Sequence, residues 1–285
     1  LNGEVRSRSV HRPACIGARR VGAEKNITFG GNLRLLGKIM LHPASRARLT
    51  TICFMLMAFA SPAAAESRVV VELFTSQGCS SCPAADKLLG ELSKDPSLLT
   101  ISLAVDYWDY LGWKDTLALP GNAVRQRAYA GLRGDRAVYT PQAVVNGVTH
   151  VLGSDKTAIE QAVKRARHGE SETLPIKLAV AEGKLNVEIA PGKPGQSGDV
   201  WLCPLTKHVP VQIGRGENRG NTITYTNVVR GWVKLGQWTG RAEKYVKSVA
   251  EIMRDKNIDA VAVLVQTSNS GAPGRVLGGA TAPLH

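Results

Sequence analysis

No apolar stretch in this 285-residue chain is built to anchor it in a bilayer, since the run from Leu49 to Ala60 is too short to span the hydrocarbon core. Between Met40 and that run stands no arginine pair of the kind twin-arginine export requires, so the general secretory route is expected. There is no internal repeat and no low-complexity tract, so a repeat architecture is not expected. Neither histidine nor methionine is clustered, which leaves copper handling without a supporting tract. Cysteine is scarce as well. Of five, Cys15 and Cys53 fall in the first 65 residues, leaving Cys79, Cys82 and Cys203. An odd number suits one pair plus one leftover thiol.

The first methionine, Met40, opens an export signal. Arg46 and Arg48 form its basic region, Leu49 to Ala60 its apolar core, and Ser61-Pro62-Ala63-Ala64-Ala65 supplies small residues for cleavage before Glu66. Residues 1–39 are polar, basic and aperiodic, and read as an over-extended start or a leader with no structural role. The expected mature chain has 220 residues, is periplasmic or secreted, and has no membrane partner after cleavage. Its charge is modest. Ahead of Glu66 stand 10 Lys and Arg against 2 Asp and Glu, so the +13 of the whole chain falls to +5. That balance is poor evidence for nucleic-acid binding, and no nucleic-acid partner is expected.

The most informative feature is Cys79-Ser80-Ser81-Cys82. Before it, Val69 to Phe74 is a short β-branched run that reads as a buried strand, and Thr75 to Gly78 turns the chain. Pro83 suits a first helical position. Ala84, Ala85, Leu88, Leu89 and Leu92 then keep an apolar face at helical spacing. Two thiols three residues apart at a strand-to-helix turn can close a small disulfide, and a helix N-terminus lowers the pKa of a thiol presented there. The chemistry is redox, with Cys79 as nucleophile and Cys82 as the resolving thiol.

Further along, Leu98 to Val105 reads as a second buried strand and Asn122 to Leu132 as a helix. Asn146-Gly147 marks a hairpin between Gln142–Val145 and Val148–Leu152. Ser154 or Asp155 caps a helix carrying Ile159, Ala162 and Val163. Residues 66–172 therefore read as an α/β domain, and 173–285 as a smaller β-rich module packed on it. Within that module, Ala242, Tyr245, Val246, Val249, Ile252 and Met253 suggest one helix.

The strand-turn-helix context of the cysteines, with Thr140-Pro141 just before the apolar hairpin, resembles the thioredoxin fold. The resemblance implies a thioredoxin-like domain over 66–172. It also implies a cis-proline at Pro141, and a substrate-contacting neighbour at Thr140. The stretches Val70 to Pro83, Val105 to Trp113 and Tyr139 to Gly147 are similar, more closely, to a bacterial family of secreted proteins, domain of unknown function 1223. That family supports the fold and export but supplies no reaction. Departures from a typical thioredoxin are Gly78 where a Trp is usual before the first cysteine, and Ser80-Ser81 between the pair.

Other residues admit two readings each. Glu72 either shuttles the resolving thiol's proton, as a buried acid near that strand does in thioredoxins, or is solvated or caps a helix. Asp106 or Asp109 could act as general base near Cys82, with Trp108 or Trp113 as a substrate platform; otherwise the Asp106 to Asp115 segment is a packed loop. Cys203 is a buried free thiol or a resolving partner. Arg215 to Gly220 grips an anion or is a solvated turn. Expected partners are protein or small-molecule thiols and disulfides, with no cofactor and no resident metal. Two alternatives stay open: a non-catalytic binding module stapled by the disulfide, and a Cu(I) protein in which His150 or His208 joins the cysteines.

Overall fold

A computed structural model of the chain describes residues 68–168, 173–254, 257–269 and 271–285. The leader, the export signal and the cleavage point expected at residues 1–66 lie outside them.

Strand β1 (Val69–Thr75) is buried at every position, as an unbroken apolar strand covered on both faces should be. It pairs in parallel with β2 (Leu98–Ala104) and antiparallel with β3 (Gln142–Val145). The chain reverses at Asn146-Gly147, whose φ values of 47° and 69° are those of a type I′ turn, and returns as β4 (Thr149–Leu152). Helices α1 (Cys82–Leu92) and α3 (Lys156–His168) cover one face of β1, packing Ala85, Leu88, Ile159 and Val163 against Val71 and Leu73. Asp155 caps α3, its Oδ1 accepting the Ala158 N–H at 2.9 Å. The opposite face carries α2 (Pro120–Arg133), whose Ala123 and Tyr129 pack on Val70, Phe74 and Ile101.

After residue 172 the structure turns to strands. They are β5 (Ile176–Ala181), β6 (Lys184–Ile189), β7 (Gly198–Gln212), β8 (Thr222–Val229), β9 (Val233–Trp238), β10 (Glu243–Ser248), β11 (Ala260–Asn269) and β12 (Ala272–Pro283). The expected boundary at 172 does not interrupt the sheet. The strand order is β12-β11-β7-β8-β2-β1-β3-β4, with β9 also on β7. β8 joins β2 at Ser102 and Val228, and Asn227 Nδ2 donates to the Thr100 carbonyl at 3.0 Å. The β-rich half thus extends the first half's sheet edge to edge instead of lying on it as a separate module. A smaller sheet, β10-β6-β5, packs Leu185, Val187 and Ile189 on the Val200, Leu202, Val261 and Val263 face of β7 and β11.

The helix expected around 242–253 is mostly strand. β10 pairs with β6, placing Tyr245 opposite Val187, and only the single turn α4 (Val249–Ile252) is helical. The apolar spacing mimics a helix, but Tyr245 and Val246 are strand formers that suit an open sheet edge, with Tyr245 half-buried and Val246 exposed on the opposite face. Among the described residues no helix is long and apolar enough to cross a membrane.

Candidate active site

α1 begins at Cys82, with Ser81 as its N-cap and Pro83 in its first turn. The sulfurs of Cys79 and Cys82 are bonded, with Cα atoms 5.4 Å apart, and the Cys82 N–H donates to the Cys79 carbonyl at 3.2 Å. Ser81 Oγ lies 3.4 Å from Cys79 Sγ, close enough for one hydroxyl to contact the sulfur. Ser80 and Ser81 are exposed, but Cys79 is only 2% exposed and Cys82 is fully buried.

Two distant segments hydrogen-bond the loop that presents Cys79, and one more reaches it only through Trp108. The first is the aromatic stretch after β2. Trp113 Nε1 donates to Gln77 Oε1 at 2.8 Å, and the Gln77 N–H donates to Asp115 Oδ2 at 2.7 Å. Trp108 sits so close to Gly78 that a Cβ there would stand 3.0 Å from the Trp108 Cβ, which explains the glycine before Cys79. The second is the Thr140–Pro141 segment, whose peptide bond is cis. Trp108 Nε1 donates to Thr140 Oγ1 at 2.8 Å. Gln126 Nε2, from α2, donates to the Tyr139 carbonyl at 2.8 Å. Pro141 and Ala85 of α1 close on Gly153 from two sides, so Pro141 lies against the cysteine-bearing helix. The third is the Arg215 to Gly220 turn. Its buried Asn218 donates through Nδ2 to the carbonyls of Gln77 and Cys79, each at 2.9 Å. That turn is therefore a clasp on the cysteine loop and more than a solvated turn, with Arg215 and Arg219 exposed on it.

The acids fall differently from expectation. Glu72 is fully buried, so it is not solvated, and it caps no helix. It lies on the α2 face of β1, away from α1. Arg125 Nε donates to its Oε1 at 2.8 Å and the Tyr129 hydroxyl to its Oε2 at 2.5 Å, while Gln266 completes the cluster. Asp109 Oδ1 accepts the Asp115 N–H at 3.0 Å and so braces its own loop. The acid on the disulfide's side of the sheet is Asp86, four residues after Cys82 on the buried face of α1. Thr75 Oγ1 donates to its Oδ2 at 3.1 Å, and Oδ1 has no hydrogen-bond partner. Burial, opposed by the Thr75 hydrogen bond and assisted by the charge of Asp115, pushes the Asp86 carboxyl up to about 8. Asp115 is itself raised by burial, against the N–H groups of Gln77 and Leu117 that it accepts. The Tyr225 hydroxyl, also buried without a partner, is pushed well up by burial and then by the charges of Asp86 and Asp115.

Cys203 is free and fully buried in the core beside Val229 and Leu264, where burial drives its thiol well up. His150 engages Tyr139 and Asp135. Among the described residues no cluster of three or more His, Cys, Asp or Glu could hold a metal ion. Sequence reasoning missed Asn218, Gln77, Arg125 and Asp86. Only Asp86 carried a signal, a carboxylate on the same helical stripe as Ala85 and Leu89.

The model of the family described as protein of unknown function, DUF1223, matches residues 70–266. A protein of Archaeoglobus fulgidus named a probable thioredoxin is 29% identical over 103 residues, 36% of this chain and 93% of that protein. A crystallised protein from Agrobacterium tumefaciens is 33% identical, with a TM-score of 0.67, over 75% of this chain and 92% of that one.

Proposed function

The chain belongs to the DUF1223 family of proteins of unknown function, and from that premise we propose that it is an exported, thioredoxin-like thiol-disulfide oxidoreductase acting through Cys79 and Cys82. The observation that carries the reading is the bonded pair at the junction of β1 and α1. The similarity to a probable thioredoxin, which spans nearly that protein's whole length, supports it. In the reduced form, the Cys79 thiolate attacks a substrate disulfide. One substrate sulfur leaves as a thiolate and a mixed disulfide remains. The Cys82 thiolate then attacks Cys79 Sγ, reforming the internal bond and releasing the second substrate thiolate; two electrons pass to the substrate and the released thiolates take up two protons. The reverse sequence oxidises a dithiol. On this reading Thr140 and the cis Pro141 shape the substrate groove. Periplasmic or secreted placement, and protein or small-molecule thiols as partners, belong to the same proposal.

The 2% exposure of Cys79 favours a second reading, a structural disulfide in a binding protein. The Cu(I) alternative loses His150, which is engaged by Tyr139 and Asp135, and among the described residues neither His150 nor His208 forms with the cysteines a group that could hold a metal ion. Titrating the full chain against glutathione separates the first two. An exchanging pair with a potential between about −270 and −120 mV, the span of thiol-disulfide enzymes, supports catalysis. A pair below about −300 mV, or one that never exchanges, supports the staple.

A further inference from the structure

A cavity of about 420 Å³ opens on the α2 face of the large sheet, the face away from α1. Its walls are Val124 and Ala128 of α2, Trp201 of β7, Trp232 just before β9, and Pro273 of β12. The size is that of a small-molecule site. The ring centroids of Trp201 and Trp232 lie 6.3 Å apart with their planes at 83°, so the two indoles form a right-angled corner. Both are only partly buried against the core, and Val124, within α2, is 59% exposed. Taking such apolar surface out of water favours an occupant.

Two charged side chains share the lining, and each is already paired. The buried Asp199 carboxylate meets the Lys234 ammonium at 2.7 Å. Arg125, 8% exposed, pairs with Glu72 and stands 4.2 Å from the centroid of the Trp232 ring. Its Nε donates to Glu72, and its Nη2 to the Tyr129 hydroxyl at 2.7 Å and to Gln266 Oε1 at 2.9 Å. None of those bonds uses Nη1. The guanidinium is planar, so with its Nε–Nη2 edge turned to that cluster, the Nη1 edge is turned to the cavity.

We propose that this cavity binds a planar, uncharged aromatic carbonyl compound of one or two fused rings. The site is separate from the cysteine pair and independent of the exchange reading. A flat ring in the corner stacks on one indole and meets the other edge to face, the two arrangements aromatic rings prefer. Pairing within the lining cancels its charges, which leaves nothing to offset the desolvation of an ionic ligand. The ligand carbonyl accepts from Arg125 Nη1, and that bond to a charged donor fixes the orientation of the ring.

The test is titration of the oxidised full chain with 1-indanone, followed by calorimetry and by the indole N–H resonances of the tryptophans. Saturable one-to-one binding with a Kd between about 10 μM and 1 mM is expected for a ligand of this size. The Trp201 and Trp232 resonances should shift, while those of Trp108 and Trp113, beside the cysteine loop, stay unmoved. Indane, which lacks the carbonyl, should bind about tenfold more weakly, the loss of one hydrogen bond to a charged donor. The anionic 3-oxo-1-indanecarboxylate should also bind more weakly than 1-indanone. Trp201→Ala should lower affinity about tenfold by removing one wall of the corner. Val124 is exposed on a helix, so Val124→Lys keeps the fold while placing a long polar side chain at the cavity, and it too should weaken binding. The proposal is overturned by no saturable binding at millimolar 1-indanone, by indane binding as tightly, or by unchanged affinity in Val124→Lys. Shifts centred on Trp108 and Trp113 overturn it as well, since they place the ligand at the cysteine loop.

Discussion

Asn218 reaches the cysteine loop from 139 residues away and bonds the carbonyls of Gln77 and Cys79, the second of which also accepts the Cys82 N–H. Its replacement by alanine removes both bonds and takes the side-chain donor from the Gln77 carbonyl, so Asn218→Ala should cost about 1–3 kcal/mol in urea unfolding. It should also speed reduction of Cys79–Cys82 by dithiothreitol, since the clasp restrains the residue that must become accessible. Equal reduction rates in variant and parent would remove Asn218 from the site. Glu72 and Arg125 are a buried pair, and removing one partner leaves the other charge uncompensated. Glu72→Ala should therefore destabilise by about 3–5 kcal/mol, read from the unfolding midpoint. Asp86 couples stability to pH. Its folded carboxyl titrates near 8, above the ordinary 3.8, so between those values the native state holds a proton that the unfolded state has released. Stability from this group is complete below about pH 4 and is lost as the pH rises to about 8, by up to roughly 4–6 kcal/mol. Urea unfolding at pH 5 and pH 8 measures it. Asp86→Asn should flatten that slope, and an unchanged slope would assign it to other groups.

At the scale of elements, the convergence of β1, α1 and the Pro141 segment on Gly153, just after β4, depends on a single absent side chain. A Cβ on Gly153 would meet Leu73 Cδ1 at 2.6 Å, Pro141 Cβ at 3.1 Å and Ala85 Cβ at 3.3 Å. The Leu73 methyl can rotate away, but the Pro141 ring and the Ala85 backbone cannot. Gly153→Ala should cost about 1–3 kcal/mol by overpacking, detectable as a lowered thermal midpoint. The same scale shows where periodicity misleads. β1 and α1 read correctly because each has one strong pattern: a short run led by three valines, then a proline-led apolar stripe. Residues 242–253 carry a loose helical spacing, yet the adjacent Tyr245 and Val246 also suit a strand. The free edge of β6 decides between them, and that edge is assembled from residues remote in sequence.

On the scale of the molecule, the sheet's continuity makes the two halves one folding unit. The core around Phe74 and Leu103 is completed by Leu205, Val229, Ala262 and Leu264 from beyond residue 172, and Gln266 closes the Glu72 cluster. A fragment ending at residue 172 should therefore fail to give a dispersed amide spectrum and should bind a hydrophobic dye. A well-dispersed spectrum from that fragment would restore an independent first domain.

The cysteine pair, the strand and helix that flank it, the hairpin at Asn146-Gly147 and the family all follow from sequence alone, because each is written in residues close together along the chain. What surrounds the pair was decided only in three dimensions. Glu72 had two plausible fates on paper, and the side of β1 that meets α2 gave it a third, a buried partnership with Arg125. Asp86 became the acid on the disulfide's side because β8 and the loop before α2 close over α1 and strip it of water. Asn218 holds the cysteine loop because β7 and β8 carry their turn back to it. Local pattern determines which element forms, whereas burial and partnership depend on what long-range packing brings alongside.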